Sequence, residues 1–194
     1  MISRAVFAPA AGNRDGRLTD VGYTAVMSNE RKYGFLPLVA GALAANYAAQ
    51  LLGPMDKARA EYAKSTRPPF APPPWAFGVA WPINNVLTLW GNWRVLNAPP
   101  SDDRTAYLRL QAAMWILFTT HGLVRFRLRS PVLGALNTFA YTAFAAASAF
   151  RAARIDRRLL ASYSTLIPWL LVASALSAYQ LGDPDAVFKR STDR

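Results

Sequence analysis

The chain has 194 residues, 53% of them hydrophobic, yet its mean hydropathy is only +0.10 and its net charge is +11, from 22 Lys+Arg against 11 Asp+Glu. The charges gather in short blocks, and the stretches between them lack the polar face that a helix packed in water requires, which argues against a soluble bundle. No basic groove motif accompanies the positive charge, which argues against nucleic acid as the partner, and the absence of cysteine excludes disulfides, iron–sulfur clusters and thiol catalysis.

Residues 1–33 are polar and glycine-bearing, with no sustained hydrophobic period. They read as an extension rather than a domain, and their first ten residues lack the continuous apolar run of a secretory signal. The segment has too few large apolar residues to offset its own ordering entropy. Its anchors, Phe7, Tyr23, Met27 and Tyr33 among Arg14, Arg17 and Arg31, suit docking on the protein's own loops or on a partner; the equal alternative is a disordered tail.

Five apolar runs follow, at 34–52, 75–96, 106–124, 132–150 and 159–181. Each is close to the roughly 20 residues that a helix needs to cross a bilayer. The first is rich in small residues, Gly41, Ala42, Ala44, Ala45, Ala48 and Ala49, which permit close helix approach in lipid. A Pro-rich segment, Arg67–Pro74, precedes the second run. Pro99-Pro100 ends that run, and Ser101-Asp102-Asp103 offers a cap for the third. The basic turn Arg125–Pro131 separates the third run from the fourth, and Arg151, Arg154, Arg157 and Arg158 make the next loop. Tyr33, Trp75, Trp93, Tyr107 and Tyr179 lie near run ends, as interfacial aromatics do. The expected architecture is all-α: an integral membrane bundle of five transmembrane helices at 34–181, with polar tails at 1–33 and 182–194. Alternating loops carry ten Lys/Arg on each side, so the positive-inside rule assigns no orientation, and the particular membrane is not legible.

The informative stretch is Arg67-Pro-Pro-Phe-Ala-Pro-Pro-Pro-Trp-Ala-Phe-Gly-Val-Ala-Trp81. Prolines fix φ and lack a donor, so this strap stays extended until Pro74 opens a helix as a first-turn residue. Trp75, Gly78 and Trp81 then recur on related faces of the first two turns. The segment resembles the signature of the TspO/MBR family, the tryptophan-rich sensory or translocator proteins, with Pro73, Trp75, Phe77, Gly78 and Trp81 in register. Further on, Ile167-Pro168-Trp169-Leu170 resembles the family's fifth-helix motif, with Trp169 in place of a Tyr and Val172 in place of a Trp. The family's third-helix Asn-Trp-x-Trp is lost at Phe118-Thr-Thr-His121, and Asn85 replaces a second-helix Tyr.

The resemblance implies a TspO-like bundle that binds a tetrapyrrole or another flat hydrophobe for transport, sensing or regulation. Trp75, Phe77, Trp81, Asn85, Pro168 and Trp169 would line its pocket. No catalytic residues, resident metal or required cofactor are expected, since no Ser/His/Asp arrangement, phosphate loop or carboxylate pair stands at usable positions. A tetrapyrrole or other hydrophobic pigment would be ligand rather than machinery. His121, the single histidine, is an axial-ligand candidate against a simpler reading as a polar residue bonded to a neighbouring helix. Asn84, Asn85, Asn92 and Asn137 read equally as ligand-orienting amides or as interhelical glue. A second functional reading stands beside the receptor: an accessory structural subunit of a larger, energy-transducing membrane complex. The expected partners are accordingly the lipid bilayer, a planar hydrophobic small molecule, and a second copy or a larger membrane assembly.

Overall fold

A computed structural model describes residues 33–52, 60, 62, 67–128 and 130–182. The expectations for the N-terminal extension and for the tail after 182 fall outside the described residues, apart from Tyr33 and Gly182 at their edges. The described chain contains helices and no strand: α1 Phe35–Leu52, α2 Pro74–Leu96, α3 Asp102–Gly122, a π-helical turn Leu123–Arg127, α4 Pro131–Ile155, a 3-10 turn Arg157–Tyr163 and α5 Leu166–Gly182.

The boundaries follow local chemistry. α2 opens with Pro74 in its first turn, and α4 with Pro131, where a missing N–H costs nothing. Ser101 Oγ accepts from the Arg104 N–H at 3.1 Å, so α3 starts at Asp102, a turn earlier than its apolar run suggests. Ser130 Oγ caps α4 through the Leu133 N–H at 3.2 Å. α4 continues to Ile155, carrying Arg151 and Arg154 on helix rather than in a loop.

Two expectations are corrected. The apolar run 159–181 is not one helix, because the 3-10 turn and α5 meet at a 42° bend. Pro168 supplies the reason: a helix running through it would bring its ring against the carbonyl of residue 164, whereas α5 starting at Leu166 places it harmlessly in the first turn. The basic turn after α3 is also more ordered than its charge suggests. Its first part is π-helical, closed by Leu128 N–H to Leu123 C=O at 2.9 Å, and it buries Arg125.

The interior is mixed: Val95, Tyr107, Met114, Leu166 and Leu170 are buried together with Asn84, Thr88, Asn92, Gln111, Thr138, Ser148, Ser162 and Gln180, while Leu36, Leu51, Val79, Ile116, Leu136 and Leu171 point outward. Large apolar side chains facing out, with polar side chains kept inside, are what lipid as solvent selects. Helices α1 and α4 are each long and apolar enough to cross a membrane, and the bent 3-10/α5 pair forms a third span when taken together. α2 and α3, at 23 and 21 residues, have the length, about 30 Å or more. Their polar residues, including Asn84, Asn92 and Gln111, turn inward.

Around the bundle α3 packs along α4, α4 along α5, and α1 against both α3 and α2. α2 meets α5 and the turn before it through side chains: Thr165 Oγ1 donates to Asn84 Oδ1 at 2.8 Å, and Phe77 and Trp81 reach Trp169 on α5. One half of the bundle is tightly packed. There Gln111 Nε2 donates to Ser148 Oγ at 3.0 Å and Tyr163 Oη at 2.8 Å, and Tyr107 Oη donates to Asn92 Oδ1 at 2.9 Å. The other half is open.

Candidate functional site

A cavity of about 770 Å³ occupies the open half, with walls from all five α-helices. One wall is aromatic. The Trp81 ring stands 5.4 Å from Phe118, 6.3 Å from Tyr141 and 6.4 Å from Trp169, and Phe77 meets Trp169 edge-on at 5.1 Å. Pro82, inside α2, leaves the Gly78 carbonyl without its helical N–H partner; both residues border the cavity, where irregular backbone is tolerated at membrane depth.

The Pro-rich strap lies at the edge of this cavity, through Pro72 and Tyr62. Tyr62 Oη donates to the Pro72 carbonyl at 2.7 Å, its ring packs edge-on against Phe77 at 5.0 Å, and the Arg67 guanidinium lies over the same ring, 5.5 Å from its centroid. Burial pushes the Tyr62 hydroxyl above its ordinary range, against the opposing pull of Arg67.

The far end is polar. His121 Nδ1 is 3.1 Å from Asn137 Oδ1, and Asn137 Nδ2 donates to the Leu117 carbonyl at 3.2 Å. In the π-helical turn that follows α3, Arg125 donates from Nη2 to Gln180 Oε1 at 2.5 Å. Arg125 is only 7% exposed. It is admitted by Gly134, where an added Cβ would sit 2.7 Å from Arg125 Cδ.

Of the six residues expected to form the pocket, Phe77, Trp81, Asn85 and Trp169 border the cavity. Trp75 does not: it is 68% exposed on the outside of α2. Pro168 is exposed as well, and its part is to set the start of α5. The amides divide by position. Asn84 Oδ1 accepts from Thr165 and Asn92 Oδ1 from Tyr107, while the buried Asn84 Nδ2 has no hydrogen-bond partner; Asn85 faces the cavity, and Asn137 lies against His121. Trp93 is tied to the chain before α1, its indole N–H donating to the Tyr33 carbonyl at 3.1 Å. Among the described residues no group of three His, Cys, Asp or Glu could hold a metal ion.

Three wall features were not singled out from sequence. Tyr141 lies mid-way along an apolar run without a motif. Arg125 hides in a basic cluster that reads as an exposed turn. The Trp169 indole N–H is buried without a hydrogen-bond partner, which only three-dimensional packing reveals.

A ring of lipid-facing helices around a large, mostly apolar, aromatic-walled cavity defines an integral membrane helical bundle. The profile of the TspO/MBR family matches residues 35–181, and the chain belongs to that family. No curated protein matches it closely enough to add to this.

Proposed function

We propose that this protein binds a flat, largely apolar small molecule of the tetrapyrrole type within the cavity, for transport, sensing or regulation rather than for catalysis. The observation that carries this reading is the aromatic wall of Phe77, Trp81, Phe118 and Trp169 along a cavity of about 770 Å³. That volume lies within the range of small-molecule sites. Ring faces and edges offer a planar ligand stacking contacts, and each aromatic pair adds about 0.5–1.5 kcal/mol beyond area burial. Asn85 and the Trp169 N–H would fix the ligand's orientation through a few placed polar contacts. Family membership supports the reading at the level of a membrane receptor or carrier.

The test is titration of protoporphyrin IX into the purified full chain in detergent, read by tryptophan fluorescence. Saturable quenching that weakens in Trp81→Ala is expected. Absence of quenching, or quenching indifferent to that substitution, would refute the reading.

A further inference from the structure

We propose that the end of the bundle where α2, α3 and α4 converge binds an anionic phospholipid, with Arg157 and Arg158 receiving its phosphate and the outward face of α4 carrying an acyl chain. None of the residues concerned borders the cavity, so the site is independent of whatever the cavity holds.

Ion pairs bring the three helix ends together. Arg94 Nη2, in the last turn of α2, lies 3.3 Å from Asp156 Oδ2, and Asp103 at the start of α3 takes Arg151 and Arg154 from the end of α4, each at 2.8 Å. Segments 94–109 and 151–158 hold seven Arg against three Asp, so the acids run out before the bases do. Asp103 already serves two arginines, and Asp156 serves Arg94 while capping the 3-10 turn through the Arg158 N–H at 2.9 Å. Asp102, the third acid, is exposed. Arg104 is spent on the Val95 and Leu96 carbonyls at 3.1 and 3.0 Å. Arg109, Arg157 and Arg158 are exposed and form no ion pair among the described residues. Adjacent like charges on a tight turn repel one another, and an anion from outside the chain relieves that repulsion.

The depth of these cations selects a lipid. The outward face of α4 runs through Leu136, Phe139, Ala143, Ala146 and Phe150, at spacings of three or four, and ends on Arg154. Phe139 and Phe150 are 11 positions apart, about 16 Å of helix, which is close to half of a hydrocarbon core about 30 Å thick. The Arg151 and Arg154 guanidiniums lie 6.0 and 5.9 Å from the Phe150 ring centroid. Positive charge therefore begins where the lipid-facing apolar surface stops. Beyond it Arg157 and Arg158 precede Leu160, which is 44% exposed. A guanidinium presents a planar fork of N–H donors that matches phosphate oxygens. A soluble acidic partner would meet the arginines and leave the apolar face of α4 uncovered. A zwitterionic lipid would cover that face and bring a cation of its own towards the arginines. An anionic phospholipid satisfies both.

The experiment is native mass spectrometry of the purified full chain in non-ionic detergent, given equimolar phosphatidylglycerol and phosphatidylcholine with the same acyl chains. The parent should retain phosphatidylglycerol about tenfold or more over phosphatidylcholine. Arg157→Gln combined with Arg158→Gln should lower that preference by about fivefold for each arginine removed. Arg127→Gln, an exposed arginine in the π-helical turn between α3 and α4, should leave it unchanged. Equal retention of the two lipids by the parent would overturn the proposal, as would a preference that survives the double substitution. Glycerol 3-phosphate bound as tightly as phosphatidylglycerol would assign the arginines to a free phosphate ester, and poly-glutamate bound in preference to the lipid would assign them to an acidic protein; either result sinks the lipid site. Should the double variant fail to fold, the two single variants are read in the same way.

Discussion

Gly134 and Arg125 share one volume: the space a Cβ on Gly134 would take lies 2.7 Å from Arg125 Cδ and 3.5 Å from its Cβ. The buried cation therefore depends on a missing side chain on the facing helix. Gly134→Ala sets two effects against each other. Alanine favours a helix interior by about 0.5–1 kcal/mol, whereas forcing a neighbour aside costs about 1–3 kcal/mol. The crowded atoms belong to a flexible side chain, so the cost lies at the lower end. The expected outcome is a stability within about 1 kcal/mol of the parent. Thermal unfolding measures it. A large drop in Tm would count against this account of Gly134.

Trp169 carries a buried indole N–H with no partner. An unsatisfied buried donor costs about 1–3 kcal/mol, and a bound ligand with an acceptor would recover that. Trp169→Phe removes the donor together with some packing against Phe77 and Trp81. The two terms oppose each other, so the apo protein should change by no more than about 1 kcal/mol. Porphyrin affinity should fall by about tenfold, as expected for a lost hydrogen bond plus ring contact. Undiminished affinity would show that the N–H faces no ligand atom.

Much of the bundle was legible in the sequence because its solvent is lipid: long charge-free runs interrupted by Pro-rich and Arg-rich blocks mark helices and their ends. Within the signature from Pro73 to Trp81, Phe77 and Trp81 border the cavity. Trp75 lies elsewhere. It shares a related helical face with Trp81 in the linear pattern, but α2 at its N-terminus turns that position outward. The bend before α5 was hidden because hydropathy does not distinguish a 3-10 turn from an α-helix. Pro168 was read as part of a motif rather than as the residue that fixes where the helix can begin. Arg125 was hidden most deeply, since burial of a charge depends on Gly134 and Gln180, 9 and 55 positions away.

The closed half of the bundle makes a sharper stability prediction. A Cβ on Gly91 would lie 2.4 Å from Ser162 Oγ, 3.0 Å from Ser162 Cβ and 3.2 Å from Tyr107 Oη. Neither neighbour moves easily, because Ser162 is buried on the 3-10 turn and Tyr107 is held by Asn92. Gly91→Ala should destabilise by about 1–3 kcal/mol. Ser162→Gly in the same chain should restore part of the loss, and a double-mutant cycle measures that coupling. Purely additive effects would show that the two residues do not compete for space.

The number of membrane crossings follows from treating the bent 3-10/α5 pair as one span and the polar-cored α2 and α3 as full spans. Topology reporters placed after residues 55, 99, 129, 156 and 190 should then alternate strictly between the two sides. Any other pattern would mean that α2, α3 or the bent pair is re-entrant.

The last prediction concerns pH. Asp103, at the start of α3, accepts from Arg154 Nε and Arg151 Nη1, both at 2.8 Å, so a single carboxylate ties α3 to the end of α4. Hydrogen bonds from Arg154 and then Arg151 hold its carboxyl below the usual carboxylate range. A pKa lower in the folded than in the unfolded chain means that the unfolded chain binds the proton more readily. The clamp therefore stabilises the fold above the ordinary Asp value, near 4, and its contribution is lost as pH falls through the lower folded value. Exposed ion pairs are individually weak and are screened by salt, so the effect is small. Asp103→Asn should lower Tm slightly at neutral pH and low salt. That difference should shrink in high salt and vanish in acid below the ordinary Asp range. A difference that persists unchanged in acid would assign the role of Asp103 to packing at the helix start rather than to its charge.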